Sequence, residues 1–191
     1  MVERRWIMIG LLAFGGLACA GAETPPAQME ETPEPSTAET AEVPMIEIPN
    51  GILVEGGILS AGQPDEAGLQ QAADAGYRTI VNLRGPGEEG ELAGEAELVR
   101  ELGMAYVEIP ITGAEAYTEE NARLLSDALT AEGALPAVVH CRSGNRVGVL
   151  LALKAFHVDG VEGPAALELG FASGAKRIPD HVLEALGTHA D

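Results

Sequence analysis

Ala137-Val138-Val139-His140-Cys141-Arg142-Ser143-Gly144-Asn145-Arg146-Val147-Gly148 joins one apolar run to another, Val149-Leu150-Leu151-Ala152-Leu153, across a short polar loop. The first run predicts a buried strand ending at His140, and the second a helix beginning near Asn145 or Arg146. The residues between them form a tight loop whose backbone N–H groups can turn inward, with a helix N-terminus behind them. That arrangement is an anion cradle. A thiolate at Cys141 gains from the same positive field. The implied chemistry is attack by that thiolate on an electrophile bearing oxyanions, with loop amides and the planar Arg146 fork holding the oxygens. The plainer alternative is a buried structural cysteine beside a helix that happens to open with arginine.

Outward from this stretch, strand and helix patterns alternate. Ile52-Leu53-Val54 and Gly57-Ile58-Leu59-Ser60, separated by Glu55-Gly56, read as two short strands, candidates for a hairpin at the sheet edge. Asp65 is positioned to cap a helix over 66–75 that ends at Gly76, and Thr79-Ile80-Val81-Asn82-Leu83 reads as a buried parallel strand. Arg84 opens a Gly-rich loop at that strand's C-terminal end, the edge where open α/β sheets bind ligands, and so is a candidate for the rim of a substrate site. A surface ion pair is the competing role for Arg84. Further helices are expected over 91–102, from the Thr118 cap to about 131, over 146–156, 163–170 and 180–186, with another strand over 104–109. Repeated alternation of strand and crossover helix predicts a three-layer α/β/α fold with a mostly parallel central sheet. Strand order stays open at this level.

The 191 residues carry 11 Lys and Arg against 30 Asp and Glu, a net charge of -19, which excludes nucleic acid as a natural partner. Arg4-Arg5 precedes the apolar run 6–18 and then Cys19, the pattern of an export signal, so residues 1–22 are expected to direct export. Leu17-Ala18-Cys19 resembles a bacterial lipobox, in which Cys19 would be lipidated and tether the chain to a membrane. Ala20-Gly21-Ala22 offers ordinary cleavage as the alternative. Residues 23–49, rich in Pro, Glu, Thr and Ala, are expected to be a disordered acidic linker, and residues 50–191 one folded domain. The expected location is the periplasm or cell envelope, or outside the cell. Cys141 has no cysteine partner other than Cys19. His157, His181 and His189 lack Asp or Cys at metal spacing, so neither a metal nor another cofactor is expected. Nothing in the sequence calls for an obligate oligomer.

The segment His140–Arg146 resembles the catalytic loop of cysteine-dependent phosphatases, and is most similar to a bacterial dual-specificity-like group that includes the phosphatase-like part of beta-lactamase-hydrolase-like proteins. Gly57-Ile58-Leu59-Ser60-Ala61-Gly62-Gln63-Pro64 and Thr79-Ile80-Val81-Asn82-Leu83-Arg84 share in the resemblance, which spans about 50–176. It implies a cysteine-phosphatase-like fold and hydrolysis of phosphomonoesters, on protein or small molecule, through a phosphocysteine. It also implies nucleophilic Cys141, phosphate-binding amides from Arg142, Ser143, Gly144, Asn145 and Arg146, a transition-state clamp at Arg146, and His140 supporting loop and thiolate. Two features depart from the general pattern. Four residues, not five, separate Cys141 from Arg146, and Val147 stands where Ser or Thr often assists the thiolate. The shorter loop also resembles that of rhodanese-type sulfurtransferases, which would carry a persulfide on Cys141.

The resemblance places a proton donor, commonly Asp, in the loop after the 104–109 strand. That loop reads Pro110-Ile111-Thr112-Gly113-Ala114-Glu115-Ala116-Tyr117-Thr118-Glu119 and contains no Asp. Glu115 is the first substitute, Glu119 the second and Glu108 the third. A weak donor predicts faster turnover of aryl than of alkyl phosphates. A phosphatase, a sulfurtransferase and a non-catalytic phosphate-binding envelope protein thus remain as alternatives.

Overall fold

The computed structural model describes residues 43–188. The expected export signal, the Cys19 lipidation site and most of the expected linker lie outside the described residues, as does His189.

The chain begins with an antiparallel hairpin, β1 (Ile52–Val54) and β2 (Ile58–Ala61), paired with Leu53 opposite Leu59. Helix α1 (Glu66–Asp74) follows, capped by Asp65, whose Oδ1 accepts from Gly68 N at 2.8 Å. Then come β3 (Thr79–Asn82), α2 (Glu95–Glu101) and β4 (Ala105–Glu108). A 3₁₀ turn over Ala114–Ala116 leads to α3 (Glu119–Thr130), where Thr118 Oγ1 accepts from Asn121 N at 3.2 Å. The strand β5 (Ala137–His140) and the helices α4 (Asn145–His157), α5 (Gly163–Ala172) and α6 (Asp180–Ala185) complete the order.

The five strands lie in the order β1-β2-β5-β3-β4, and every pairing except β1 with β2 is parallel. The period-two alternation of the strands divides the interior. Leu59, Ile80 and Val138 pack with Leu69 and Ala72 of α1 and Val99 of α2. Ile58, Val81 and Val139 face the other way, onto Leu125 and Leu129 of α3, Leu150 of α4 and Ala166 of α5. The three-layer α/β/α arrangement expected from the sequence is therefore present. Its central strand, β5, is buried throughout because it has parallel neighbours and a helical layer on each face.

Two boundaries differ from expectation. Residues 43–49 are not linker: Ile46 and Ile48 are buried in the core beside α1, and Tyr77 Oη donates to Pro44 O at 3.0 Å. Helix α2 begins at Glu95 rather than near 91, because Gly90 and Gly94 both adopt positive φ and the intervening backbone turns instead of coiling.

Candidate active site

Strand β5 carries His140 and Cys141 to the C-terminal edge of the sheet, where their side chains diverge. Cys141 joins the core cluster on the α3–α4 side, while His140 meets Glu95 of α2. The loop after Cys141 is held by its neighbours. Cys141 N donates to Ala61 O at 3.3 Å, Gln63 N to Arg142 O at 3.3 Å, and Leu83 N to His140 O at 2.9 Å. The stretches 57–64 and 79–84 are thus the two walls that brace the cysteine loop.

Gly144 takes φ 88°, a left-handed conformation open to glycine, and so turns the chain into α4. Its N–H points back at the sulfur, 3.1 Å from Cys141 Sγ. Cys141 is 1% exposed. Arg146, in the first turn of α4, stands beside the sulfur and is held from the opposite side: Nη1 donates to Glu88 Oε2 at 2.7 Å and Nη2 to Glu88 Oε1 at 2.5 Å. Nη1 also reaches the carbonyls of Leu83 at 3.3 Å and Ile111 at 3.2 Å, at the ends of β3 and β4. This fork holds the Glu88 carboxyl at a pKa of about 2 and raises that of Arg146 further. The four-residue spacing is accommodated because Asn145 is already helical, while Val147, one position on, is fully buried in the core.

The other residues singled out from sequence take diverse places. His140 Nε2 lies 2.6 Å from Glu95 Oε1, within ion-pair distance, although neither ring nitrogen has a well-aligned hydrogen bond. Glu95 Oε2 accepts from Gln63 Nε2 at 2.7 Å, and Gln63 Oε1 accepts from Arg84 Nη1 at 2.5 Å. Arg84 is not on a substrate rim. It is 2% exposed, and it donates to the carbonyls of Gly90 at 2.8 Å, Glu89 at 2.7 Å and Glu88 at 3.2 Å. Its fixed donor fork shapes the 85–90 loop and so presents Glu88 to Arg146. The Asn145 side chain ties the loop to the stretch after α5: Oδ1 accepts from Lys176 N at 2.7 Å and Arg177 N at 2.8 Å, and Nδ2 donates to Arg177 O at 3.1 Å. Arg142 and Ser143 are exposed.

Above the loop opens a cavity of about 900 Å³, walled by Arg142, Asn145, Arg146, Glu88, Tyr117 and the stretch 177–180, among others. Cys141 forms no part of that wall. Burial pushes the Tyr117 hydroxyl up to about 12, with nearby Arg146 pulling against it and Cys141 adding to it. Glu115, the first-ranked acid from sequence, is also absent from the wall. It is exposed on the 3₁₀ turn, and its carboxylate folds back over Gly113, where no side chain keeps it away. Glu119 is bound to Arg123 at 2.5 Å, and Glu108 lines a separate hollow with Tyr106 and Glu95.

Sequence reasoning missed Glu88, Glu95, Tyr117, Arg177 and Asp180. Glu88 had a readable signal, a carboxylate in a Gly-rich loop at the ligand-binding edge of a parallel sheet. Asp180 had none, since only the fold brings α6 beside the cysteine loop.

A buried cysteine receiving a loop amide, with an arginine at the start of the next helix and a parallel sheet beneath, defines a cysteine-site α/β domain of the phosphatase type. The chain belongs to the family of the beta-lactamase hydrolase-like protein, phosphatase-like domain, which matches residues 53–157. A beta-lactamase hydrolase-like protein of Xylella fastidiosa is 38% identical over 97 residues, 49% of this chain. The match covers 22% of that relative, so the chain spans about a fifth of its length. Among solved structures, a candidate phosphatase carrying the DUF442 label from Shewanella putrefaciens CN-32 superposes with TM-score 0.58 at 19% identity, over 73% of this chain and 90% of that one. The core catalytic domain of the PP-IP phosphatase SIW14 from S. cerevisiae superposes with TM-score 0.58 at 14% identity, over 77% and 90%. At such identities the likeness is one of fold.

Proposed function

We propose that the domain hydrolyses phosphomonoesters, with Cys141 as nucleophile. The observation that supports this best is the Gly144 N–H aimed at Cys141 Sγ at 3.1 Å with Arg146 adjoining. An amide and a guanidinium gathered at one sulfur are donors placed to favour the charge that develops on equatorial phosphoryl oxygens. Arg146 uses Nη1 on Glu88 and the Leu83 and Ile111 carbonyls and one Nη2 hydrogen on Glu88, which leaves Nε and the second Nη2 hydrogen for those oxygens. The thiolate attacks phosphorus and the ester oxygen leaves. Water then cleaves the phosphocysteine and releases inorganic phosphate. Family membership supports the reaction class, and the walls made by 57–64 and 79–84 supply the rigidity it needs. The test is turnover of an aryl phosphate by wild type, Cys141→Ser and Arg146→Ala. Cys141→Ser is expected to abolish turnover and Arg146→Ala to lower it by at least about 10²-fold, as loss of an oxyanion-stabilising donor does. Wild-type rates in Cys141→Ser would defeat the reading. The same proposal places the domain outside the cytoplasm, tethered through Cys19. Mass spectrometry of the mature N-terminus distinguishes a lipidated Cys19 from cleavage after Ala22.

A further inference from the structure

We propose that Asp180 is the proton donor for the leaving group, a role that rests on the phosphatase reading above. The cavity wall holds two carboxylates, Glu88 and Asp180. Glu88 has both oxygens on the Arg146 fork, so it stays ionised and has no proton to give. The stretch after β4, where a donor was expected, contributes Ile111, Thr112, Gly113, Ala114 and Tyr117 to the wall, and no acid. Asp180 is the first residue of α6, exposed to the cavity, and has no ion-pair partner among the described residues.

Its placement depends on the cysteine loop itself. Through Asn145, the residue before Arg146, three hydrogen bonds fasten the backbone of Lys176 and Arg177 to the start of α4. Arg177, Ile178 and Pro179 then carry the chain along the cavity to Asp180. A short, clamped connection of this kind gives the backbone at Asp180 a defined position relative to the start of α4. It also assigns Asn145 a task, that of a positioning residue acting through backbone.

The proton balance closes. Cys141 thiolate forms the S–P bond as the P–O ester bond breaks, and the departing oxygen takes the Asp180 proton, leaving an alcohol and a carboxylate. In the second half, Asp180 carboxylate removes a proton from water as its oxygen attacks phosphorus. The S–P bond breaks, inorganic phosphate leaves, and thiolate and carboxylic acid are restored.

The experiment is a leaving-group series, from nitrophenyl phosphate through phenyl phosphate to an alkyl phosphate, run with wild type, Asp180→Asn, Asp180→Glu, Glu115→Gln and Tyr117→Phe. Thermal melting monitors the fold of each variant. Asp180→Asn is expected to lose about 10²–10⁴-fold on the alkyl ester and little on nitrophenyl phosphate. Asp180→Glu should recover part of the rate. A uniform loss across the series, or a leaving-group-dependent loss in Glu115→Gln or Tyr117→Phe with none in Asp180→Asn, overturns the assignment alone. Absence of any Cys141-dependent turnover overturns the phosphatase reading and this inference with it.

Discussion

Glu95 and His140 are 4% and 0% exposed, and a buried polar pair is costly to break. Their 2.6 Å contact is expected to carry coupling free energy. A double-mutant cycle of Glu95→Gln and His140→Asn, read by chemical denaturation, should give about 0.5–3 kcal/mol, the range for residues in direct contact. Strict additivity would mean that the proximity is incidental. Glu88 allows a second test at this scale, through pH. Its folded-state pKa is depressed to about 2, so its contribution to stability is complete above the ordinary carboxylate range and is lost as pH falls towards 2. Glu88→Gln should therefore melt below wild type at pH 7, and the difference should shrink steadily below pH 4. A difference that persists at pH 2 would show that Glu88 acts through packing rather than charge. Cys141 and Arg146 were legible because they sit five positions apart in one loop, with strand and helix signals on either side. The pairings of Glu88 with Arg146 and of Glu95 with His140 were not, because each spans more than forty residues of chain.

At the scale of elements, α4 and α5 pack at unusually close approach. A methyl group on Gly148 would run into Ala175 N and Gly170 O, and one on Gly170 would come 2.9 Å from Ala152 Cβ and 3.0 Å from Gly148 O. Backbone cannot retreat as a flexible side chain does, so Gly148→Ala should behave as an overpacked core and cost about 1–3 kcal/mol. A melting temperature lower by roughly 2–12 °C, measured by circular dichroism, would follow for a domain of this size. An unchanged melting temperature would mean that the helices slide apart without penalty. This contact was not readable beforehand, because Gly148 in the sequence is only a weak helix former within an apolar run. The elements themselves were readable wherever period and cap agreed, as at Asp65 with α1, Thr118 with α3, and the apolar run Ala137-Val138-Val139 of β5. Reading failed where composition argued against packing. Ile46 and Ile48 are two apolar residues in a Pro- and Glu-rich stretch, yet they alternate as a chain laid across a core must. Strand order lay beyond the sequence, because parallel crossovers of similar length permit several arrangements.

For the whole molecule, the net charge of -19 opposes the approach of a phosphate ester, while Arg142, Arg146 and Arg177 stand at the cavity. The two influences act over different distances. At about 10 mM ionic strength the Debye length is roughly 30 Å, so a substrate dianion feels the whole acidic chain. At about 150 mM it is roughly 8 Å, and the distant carboxylates are screened while the arginines within contact range still act. At about 1 M it is roughly 3 Å, and the local attraction weakens too. Accordingly, kcat/KM for a dianionic aryl phosphate should rise between 10 and 150 mM salt (~) and fall again towards 1 M (~). Replacing Arg177 with Ala should reduce the fall at high salt and leave the rise intact, since the rise belongs to charges elsewhere on the chain. A monotonic decline from the lowest salt would instead mean that the cavity's own field outweighs the acidic surface at every distance from which a substrate is drawn in.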